Sequence, residues 1–192
     1  MAILFSVGLR VSEVLGLAWS DLDLDAGTAT VRRAVVEVKG SGRMLGPPKT
    51  AGAVGEHRIA PHVVERLRRW RKVQAAERLA AGPLWAQPVY EGRGVDLVFT
   101  MPDGGLVARQ AIDKVLRSTA ERIGLDSTHL GTHVGRRTVV TALYASGEEL
   151  ADVARHVGHA SPTTTAGYVA SIGNRPQKTA AKAAQLLDVK AE

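Results

Sequence analysis

Apolar residues recur at helical spacing through the first part of the chain. They occupy positions Ile3, Leu4, Val7, Val11, Val14, Leu15 and Leu17, and a recurrence every three or four residues is typical of one face of an amphipathic helix. The pattern predicts a first helix that ends at Trp19-Ser20-Asp21. Because no N-cap residue precedes the run, this helix is expected to lack its beginning.

The pattern then changes to short runs of β-branched residues. Thr28–Val31 and Ala34–Val38 are typical of strands, Gly40-Ser41-Gly42 of a turn, and a further strand is expected near 57–59. These runs predict one small antiparallel sheet, with Lys49 on or near a hairpin.

Helical periodicity returns after Pro61, which suits the first turn of a helix. This helix is predicted to run to about Ala80, with an apolar face and a basic face typical of a solvated surface. Positions 82–94 are predicted to form a loop, 97–99 a short strand and 103–105 a turn. Further helices are expected over 107–122, 132–145, 148–157, 162–170 and 177–187, with Tyr144 on an apolar, core-facing side. The sequence therefore predicts an α+β fold, mostly helical with one small antiparallel β-sheet.

Composition narrows the classes of function. Lys and Arg number 25 against 19 Asp and Glu in the 192 residues, a formal charge of +6, which makes a polyanionic partner plausible. The absence of cysteine excludes disulfides and cysteine nucleophiles, and it is compatible with the cytoplasm, where we expect the protein. No apolar run reaches the roughly 18 residues of a membrane span, so no membrane association is expected.

Basic side chains accompany a candidate nucleophile in separate segments. Arg10 lies three positions before Glu13, and His133 lies three positions before Arg136. A second histidine, His159, lies nine positions before Tyr168. Arginine forks match pairs of phosphate oxygens, and a tyrosine hydroxyl needs nearby cations or a base to attack. The set is suited to attack on a DNA phosphodiester. Cations borne by the protein make a metal unnecessary, and the pair His156 and His159 lacks a third ligand by spacing.

These segments, in this order, resemble the catalytic domain of the tyrosine recombinases, the class of phage and integrative-element integrases. The segment 8–17 resembles the family's first arginine segment, 48–50 its β-hairpin lysine segment, 132–138 its His-x-x-Arg segment and 157–168 its last segment. The resemblance covers roughly residues 3–171. One departure is Arg137, where the family usually has histidine.

The resemblance implies a role for each residue. Tyr168 would attack the phosphate and form a 3′-phosphotyrosyl link, which a freed 5′-hydroxyl later reverses. Arg10 and Arg136 would hold the scissile phosphate, and His159 would donate a hydrogen bond to a phosphate oxygen. His133 would assist proton transfer, and Lys49 would protonate the leaving 5′-oxygen. Glu13 would support the site without being catalytic itself. The expected partner is double-stranded DNA, bound as a homotetramer by the full-length protein, with no cofactor. Apart from the resemblance, Arg66 and Arg69 on the basic helix face and Arg137 are candidates for further DNA contacts.

The resemblance also suggests a domain organisation. Residues 1–175 would form a catalytic domain whose start is truncated and whose usual DNA-clamping domain is absent, and 176–192 a helical tail. Two other functions share these residues: a type IB topoisomerase-like DNA relaxer, and an inactive truncated integrase remnant that only binds DNA. The Val-Gly-His…Tyr arrangement and the tail favour the recombinase.

Overall fold

The computed structural model describes residues 2–49, 54–128, 130–158 and 165–167. The helices within these ranges are α1 (Ala2–Val7), α2 (Val11–Leu15), α3 (Pro61–Ala81), α4 (Arg109–Arg122), α5 (His133–Ala145) and α6 (Leu150–Val157). The strands are β1 (Leu22–Asp23), β2 (Thr28–Val31), β3 (Ala34–Val38), β4 (Gly42–Gly46), β5 (Gly55–Arg58), β6 (Val89–Tyr90) and β7 (Arg93–Gly94). This mostly helical α+β architecture confirms the predicted fold class.

All strand pairs in the described part of the chain are antiparallel. β2 lies between β1 and β5, β3 pairs with β4 in a hairpin, and β6 pairs with β7 in a second hairpin. The strands therefore form three small sheets where the sequence predicted one. The strand expected at 97–99 is reduced to a single bridge between Ala18 and Leu97.

The first predicted helix is divided in two, so the prediction of one continuous helix was wrong. Gly8 has φ +72° and separates α1 from α2. A side chain there would also meet other helices, because a Cβ on Gly8 would lie 3.2 Å from carbon atoms of Val139 in α5 and Val157 in α6. Glycine is required both for the left-handed conformation and for this close approach.

The main core lies between α1, α2, α3 and the three-stranded sheet of β1, β2 and β5. Its buried members include Ile3, Val7, Leu17, Val31 and Val63. Burying these apolar side chains is the main favourable contribution to folding. It fixes α1 and α2, and through them the segment that carries Arg10.

A second cluster holds α5 against α6. Val139 and Val140 of α5 are buried with Val153 and Val157 of α6, and Leu143 packs against them. Tyr144 is 46% exposed, so its predicted place in the core was wrong. Leu143, one position earlier on the helix, makes the apolar contact instead.

The ends of the longer helices agree with the sequence to within two residues. Pro61 is the first residue of α3, as predicted, and α3 ends at Ala81. α6 ends at Val157 and is followed by Gly158, which adopts the left-handed conformation with φ 66°, the usual geometry of a glycine C-cap.

Candidate active site

The break at Gly8 determines where Arg10 lies. After the break, Arg10 is extended, with φ −67° and ψ 146°, and it is the N-cap residue of α2. Its backbone N–H donates to Glu13 Oε2 at 2.8 Å and its side-chain Nη1 donates to Glu13 Oε1 at 2.9 Å. One carboxylate therefore holds both the backbone and the guanidinium of Arg10.

Glu13 is 1% exposed, although it is charged. Burial of a carboxylate is costly unless it is paired and hydrogen bonded, and Arg10 supplies the pairing. The Arg10 side chain stays 22% exposed. The pair is thus anchored in the core at the Glu13 end and open to a ligand at the Arg10 end.

Arg136 enters from α5 and is 3% exposed. Its Nη1 donates to the carbonyl oxygen of Gly8 at 3.2 Å. Arg136 is therefore tied to the same break in the first helix that positions Arg10. Two arginines far apart in sequence are thus connected to one backbone segment, and their joint contact with a phosphate stays a prediction.

His133 is the first residue of α5 and is exposed. Partial removal of its ring from water lowers its pKa below the usual 6.5, and the positive charges of Arg109, Arg136 and Arg10 lower it further, while Asp113 raises it. The imidazole is therefore neutral at pH 7. A neutral imidazole can accept a proton, as a general base does, and its N–H can donate a hydrogen bond.

A cavity of about 330 Å³ brings several of these side chains together. Arg10, Lys49 and His133 all line it, and Lys49 reaches it from the exposed segment that follows β4. One residue that the resemblance assigned to phosphate binding, Arg10, and two that it assigned to proton transfer, His133 and Lys49, therefore line the same space. Ser12 and Thr132 add hydroxyl-bearing residues to its wall.

The cavity also contains charged residues that the sequence analysis missed. Arg43 of β4 and Arg109 at the start of α4 line it, together with Glu37 of β3. Among the lining residues that the structure describes, four cationic side chains thus accompany one carboxylate, so the cavity favours an anion. A strand at 34–38 and a turn at 40–42 were predicted, but β4 was not, and the direction of Arg43 depends on the strand register, in which it pairs with Glu37.

The three further DNA contacts suggested by the sequence lie elsewhere. Arg66 and Arg69 are exposed on α3, where Arg69 forms an ion pair with Glu65. Arg66 lines a separate, mainly apolar cavity of about 520 Å³. Arg137 is exposed on α5, next to Arg136. Their contact with DNA stays a prediction.

His159 and Tyr168 lie outside the described residues, as does the tail 177–187. The described neighbour of His159 is Gly158, whose backbone N–H donates to the carbonyl oxygen of Arg155 at the end of α6. Among the described helices, none is long and apolar enough to cross a membrane.

Comparison with known sequences identifies the proteins to which this chain is similar. The model of the phage integrase family matches residues 1–175. The chain is 28% identical over 170 residues to "Tyrosine recombinase XerC-like" of Caldanaerobacter subterraneus subsp. tengcongensis, covering 84% of this chain and 42% of that protein. It is 30% identical over 168 residues to "Tyrosine recombinase XerD" of Mycobacterium tuberculosis, covering 88% of this chain and 45% of that protein. The chain thus spans less than half the length of these two relatives.

Solved structures share the fold. The Tn1549 transposon integrase in complex with a circular intermediate DNA matches with a TM-score of 0.70 and 22% identity, over 87% of this chain and 52% of that one. The XerA recombinase matches with a TM-score of 0.60 and 20% identity, over 92% of this chain and 57% of that one. With its arginine-rich cavity and a family match over residues 1–175, this chain belongs to the phage integrase family of tyrosine recombinases.

Proposed function

We propose that this chain is the catalytic domain of a site-specific DNA recombinase that cleaves and rejoins strands through a covalent 3′-phosphotyrosyl intermediate. The observation that carries the proposal is the cavity shared by Arg10, Lys49 and His133. Its charge and donor groups suit a phosphate whose non-bridging oxygens gain charge during attack. Arg136, tied to the same segment through Gly8, supplies a second guanidinium.

The roles follow from the chemistry of each group. Arg10 and Arg136 would hold the scissile phosphate, since arginine stays charged and its fork matches two oxygens. Neutral His133 would take part in proton transfer. Lys49, a compact ammonium on a mobile stem, would protonate the leaving 5′-oxygen. Glu13 would keep Arg10 oriented without touching the substrate.

Tyr168 would be the nucleophile, and His159 would donate a hydrogen bond to a phosphate oxygen. Their support comes from the sequence motif, because both lie outside the described residues. The phosphotyrosine would conserve the energy of the broken bond, so that rejoining needs no nucleotide cofactor. The phenolic oxygen would bond to phosphorus as the bond from phosphorus to the 5′-oxygen breaks; the phenolic proton would pass to His133, and the leaving 5′-oxygen would take a proton from Lys49.

Double-stranded DNA would be the substrate, and we propose that the full-length protein acts as a homotetramer on it, in the cytoplasm. Residues 1–175 would make up the catalytic domain and 176–192 a helical tail. The Tn1549 integrase and the XerH recombinase, both solved with DNA, have this fold. Charge supports the same partner, because the chain carries +6 and its cavity is cationic.

A nicked suicide DNA substrate tests the proposal directly. Cleavage next to the nick releases a short fragment, so that the covalent intermediate accumulates and can be seen on a denaturing gel. Wild type should form the adduct and Tyr168→Phe should not. Tyr144→Phe, which removes the same hydroxyl from an exposed site on α5, should retain it.

The same assay separates an enzyme from an inactive remnant. A remnant would bind DNA but form no adduct with any variant. Binding through phosphates should weaken with salt, with a slope of about −0.9 in log K against log salt for each phosphate contacted. Retained, salt-sensitive binding without an adduct would contradict the proposed activity.

A further inference from the structure

Three residues lie on one face of α4, near the start of α5. Asp113 and Arg117 contact the segment that leads into α5, and Arg109 lines the cavity beside it. Arg109, Asp113 and Arg117 are spaced four residues apart, which places them on the same side of a helix. Asp113 Oδ1 accepts a hydrogen bond from the backbone N–H of Thr132 at 2.7 Å. One turn later, Arg117 Nε donates to the carbonyl oxygen of Leu130 at 2.9 Å.

The contact between Asp113 and Thr132 is at the start of α5. Thr132 is 3% exposed and immediately precedes His133. The first N–H groups of a helix have no partner within the helix, and a carboxylate there also interacts favourably with the helix dipole. Asp113 therefore fixes the position from which α5 begins.

The other oxygen of Asp113 faces Arg109. Asp113 Oδ2 lies 3.7 Å from Arg109 Nε, and the Arg109 side chain is 58% exposed where it lines the cavity. One carboxylate thus contacts both a cation of the cavity wall and the backbone next to His133.

We propose that Asp113 is a positioning residue of the active site, which sets the place of His133 through Thr132 and the balance of charge beside it through Arg109. The proposal rests on the proposed function for its catalytic meaning, but its physical content is independent of DNA cleavage. Asp113 does not line the cavity, so it acts through its two partners and not on the substrate.

The charges around His133 explain why one carboxylate matters. Positive charges reach it from Arg109 on α4, Arg136 on its own helix and Arg10 before α2. The remaining charged residues of the cavity wall are Glu37, Arg43 and Lys49. Asp113 opposes these cations and raises the pKa of His133. Without Asp113, protonation of His133 should be still less favourable.

The test is an NMR titration of the histidine side chains of the 192-residue protein, with the His133 signal assigned from its loss in His133→Gln. Asp113→Asn removes the charge but keeps an oxygen that can accept from Thr132. It should lower the pKa of His133 and leave exchange of the Thr132 amide slow. Arg109→Gln removes a cation and should shift the pKa of His133 upward.

Asp113→Ala removes both the charge and the acceptor. It should lower the pKa of His133 and also speed exchange of the Thr132 amide by about tenfold or more, as expected for loss of a hydrogen bond to a charged group. Asp152→Asn is the matched control, since Asp152 pairs with Arg155 on exposed parts of α6. It should change neither quantity.

The proposal is overturned if Asp113→Asn and Arg109→Gln leave the His133 titration as it is in Asp152→Asn. It is also overturned if both substitutions shift that pKa in the same direction, which a merely structural disturbance would produce. Failure of the proposed function would be visible separately, as absence of a DNA adduct in wild type. If the adduct forms, the acid limb of its pH profile should move with the His133 pKa in each variant.

Discussion

At the scale of single residues, Glu13 is the clearest case of a side chain that shapes the site from within the core. Replacing it with Gln removes the charge that holds both the backbone and the guanidinium of Arg10. We expect Glu13→Gln to lower the free energy of unfolding by about 1–3 kcal/mol and to reduce DNA cleavage. Urea unfolding and the suicide-substrate assay measure the two effects.

The control for this prediction is Glu65→Gln. Glu65 also pairs with an arginine, Arg69, but its side chain is 63% exposed. Exposed pairs contribute roughly 0–1 kcal/mol, so this change should have little effect. Equal destabilisation by the two substitutions would show that the pair of Arg10 and Glu13 is no more than a surface contact.

Local spacing predicted some residues of the site and could not predict others. The separation of three between Arg10 and Glu13, and between His133 and Arg136, is visible in the sequence because both members lie on one short segment. Asp113 carries no such signal. Its partner Thr132 is nineteen positions away, and the contact exists only because α4 packs beside the start of α5.

At the scale of elements, the contact between α1 and α5 aligns the two arginine segments. Gly135 lies between His133 and Arg136, and a Cβ there would be 2.9 Å from the carbonyl oxygen of Leu4 in α1. Because a Cβ cannot lie this close to a backbone oxygen, α1 and α5 would have to move apart. Gly135→Ala should therefore displace α5 from α1, at a cost of about 1–3 kcal/mol in stability, as for other overpacked cores.

Thermal unfolding and the adduct assay check this prediction. The matched change is Gly55→Ala in β5, where an added Cβ meets nothing within 4 Å. It should leave both the melting temperature and the adduct yield close to wild type. A Gly135→Ala protein that melts and cleaves as wild type would show that the close approach of the helices is not needed.

The elements that the sequence predicted well have their signal on their own residues. Pro61 and the apolar face after it were enough to place α3, and alternating β-branched residues were enough for β2 and β3. The division of the first helix was missed because the apolar spacing continues across Gly8. What breaks the helix is tertiary, since Val139 and Val157 pack against Gly8 from α5 and α6.

At the scale of the whole molecule, two histidines should make the fold sensitive to acid. Burial lowers the pKa of His156 below 6.5, and the charge of His57 lowers it further; the pKa of His133 is lowered as well. Well above pH 6.5 both are neutral in the folded and unfolded chain, so they contribute no pH dependence there. As pH falls through 6.5, the unfolded chain takes up protons first, and stability is lost until the folded pKa values are passed.

We expect the urea midpoint of wild type to fall between about pH 7.5 and 5, and to fall less in His156→Gln and least in His133→Gln combined with His156→Gln. Carboxylates contribute equally in all three proteins to the slope of the urea midpoint against pH. The difference between the slopes therefore measures the contribution of the histidines. The same slope in wild type and the double variant would contradict the lowered pKa values.

The architecture as a whole was accessible from the sequence, because helical periodicity dominates the chain and the strands are short. The distribution of strands over three sheets was not, since it depends on which pairs form across loops. The clustering of the cavity residues likewise depends on tertiary packing. The resemblance to a known family grouped Arg10, Lys49 and His133 in advance, but not Glu37, Arg43 and Arg109.

The central claim is that the cationic cavity serves a covalent attack on DNA by one tyrosine, and the most direct measurement identifies that tyrosine. Wild-type protein trapped on a suicide substrate would be digested with nuclease and protease, and the modified peptide identified by mass spectrometry. The chain has three tyrosines, Tyr90, Tyr144 and Tyr168. The account predicts a 3′-phosphonucleotide on Tyr168 alone, and its presence on Tyr90 or Tyr144, or no adduct with DNA binding retained, would contradict it.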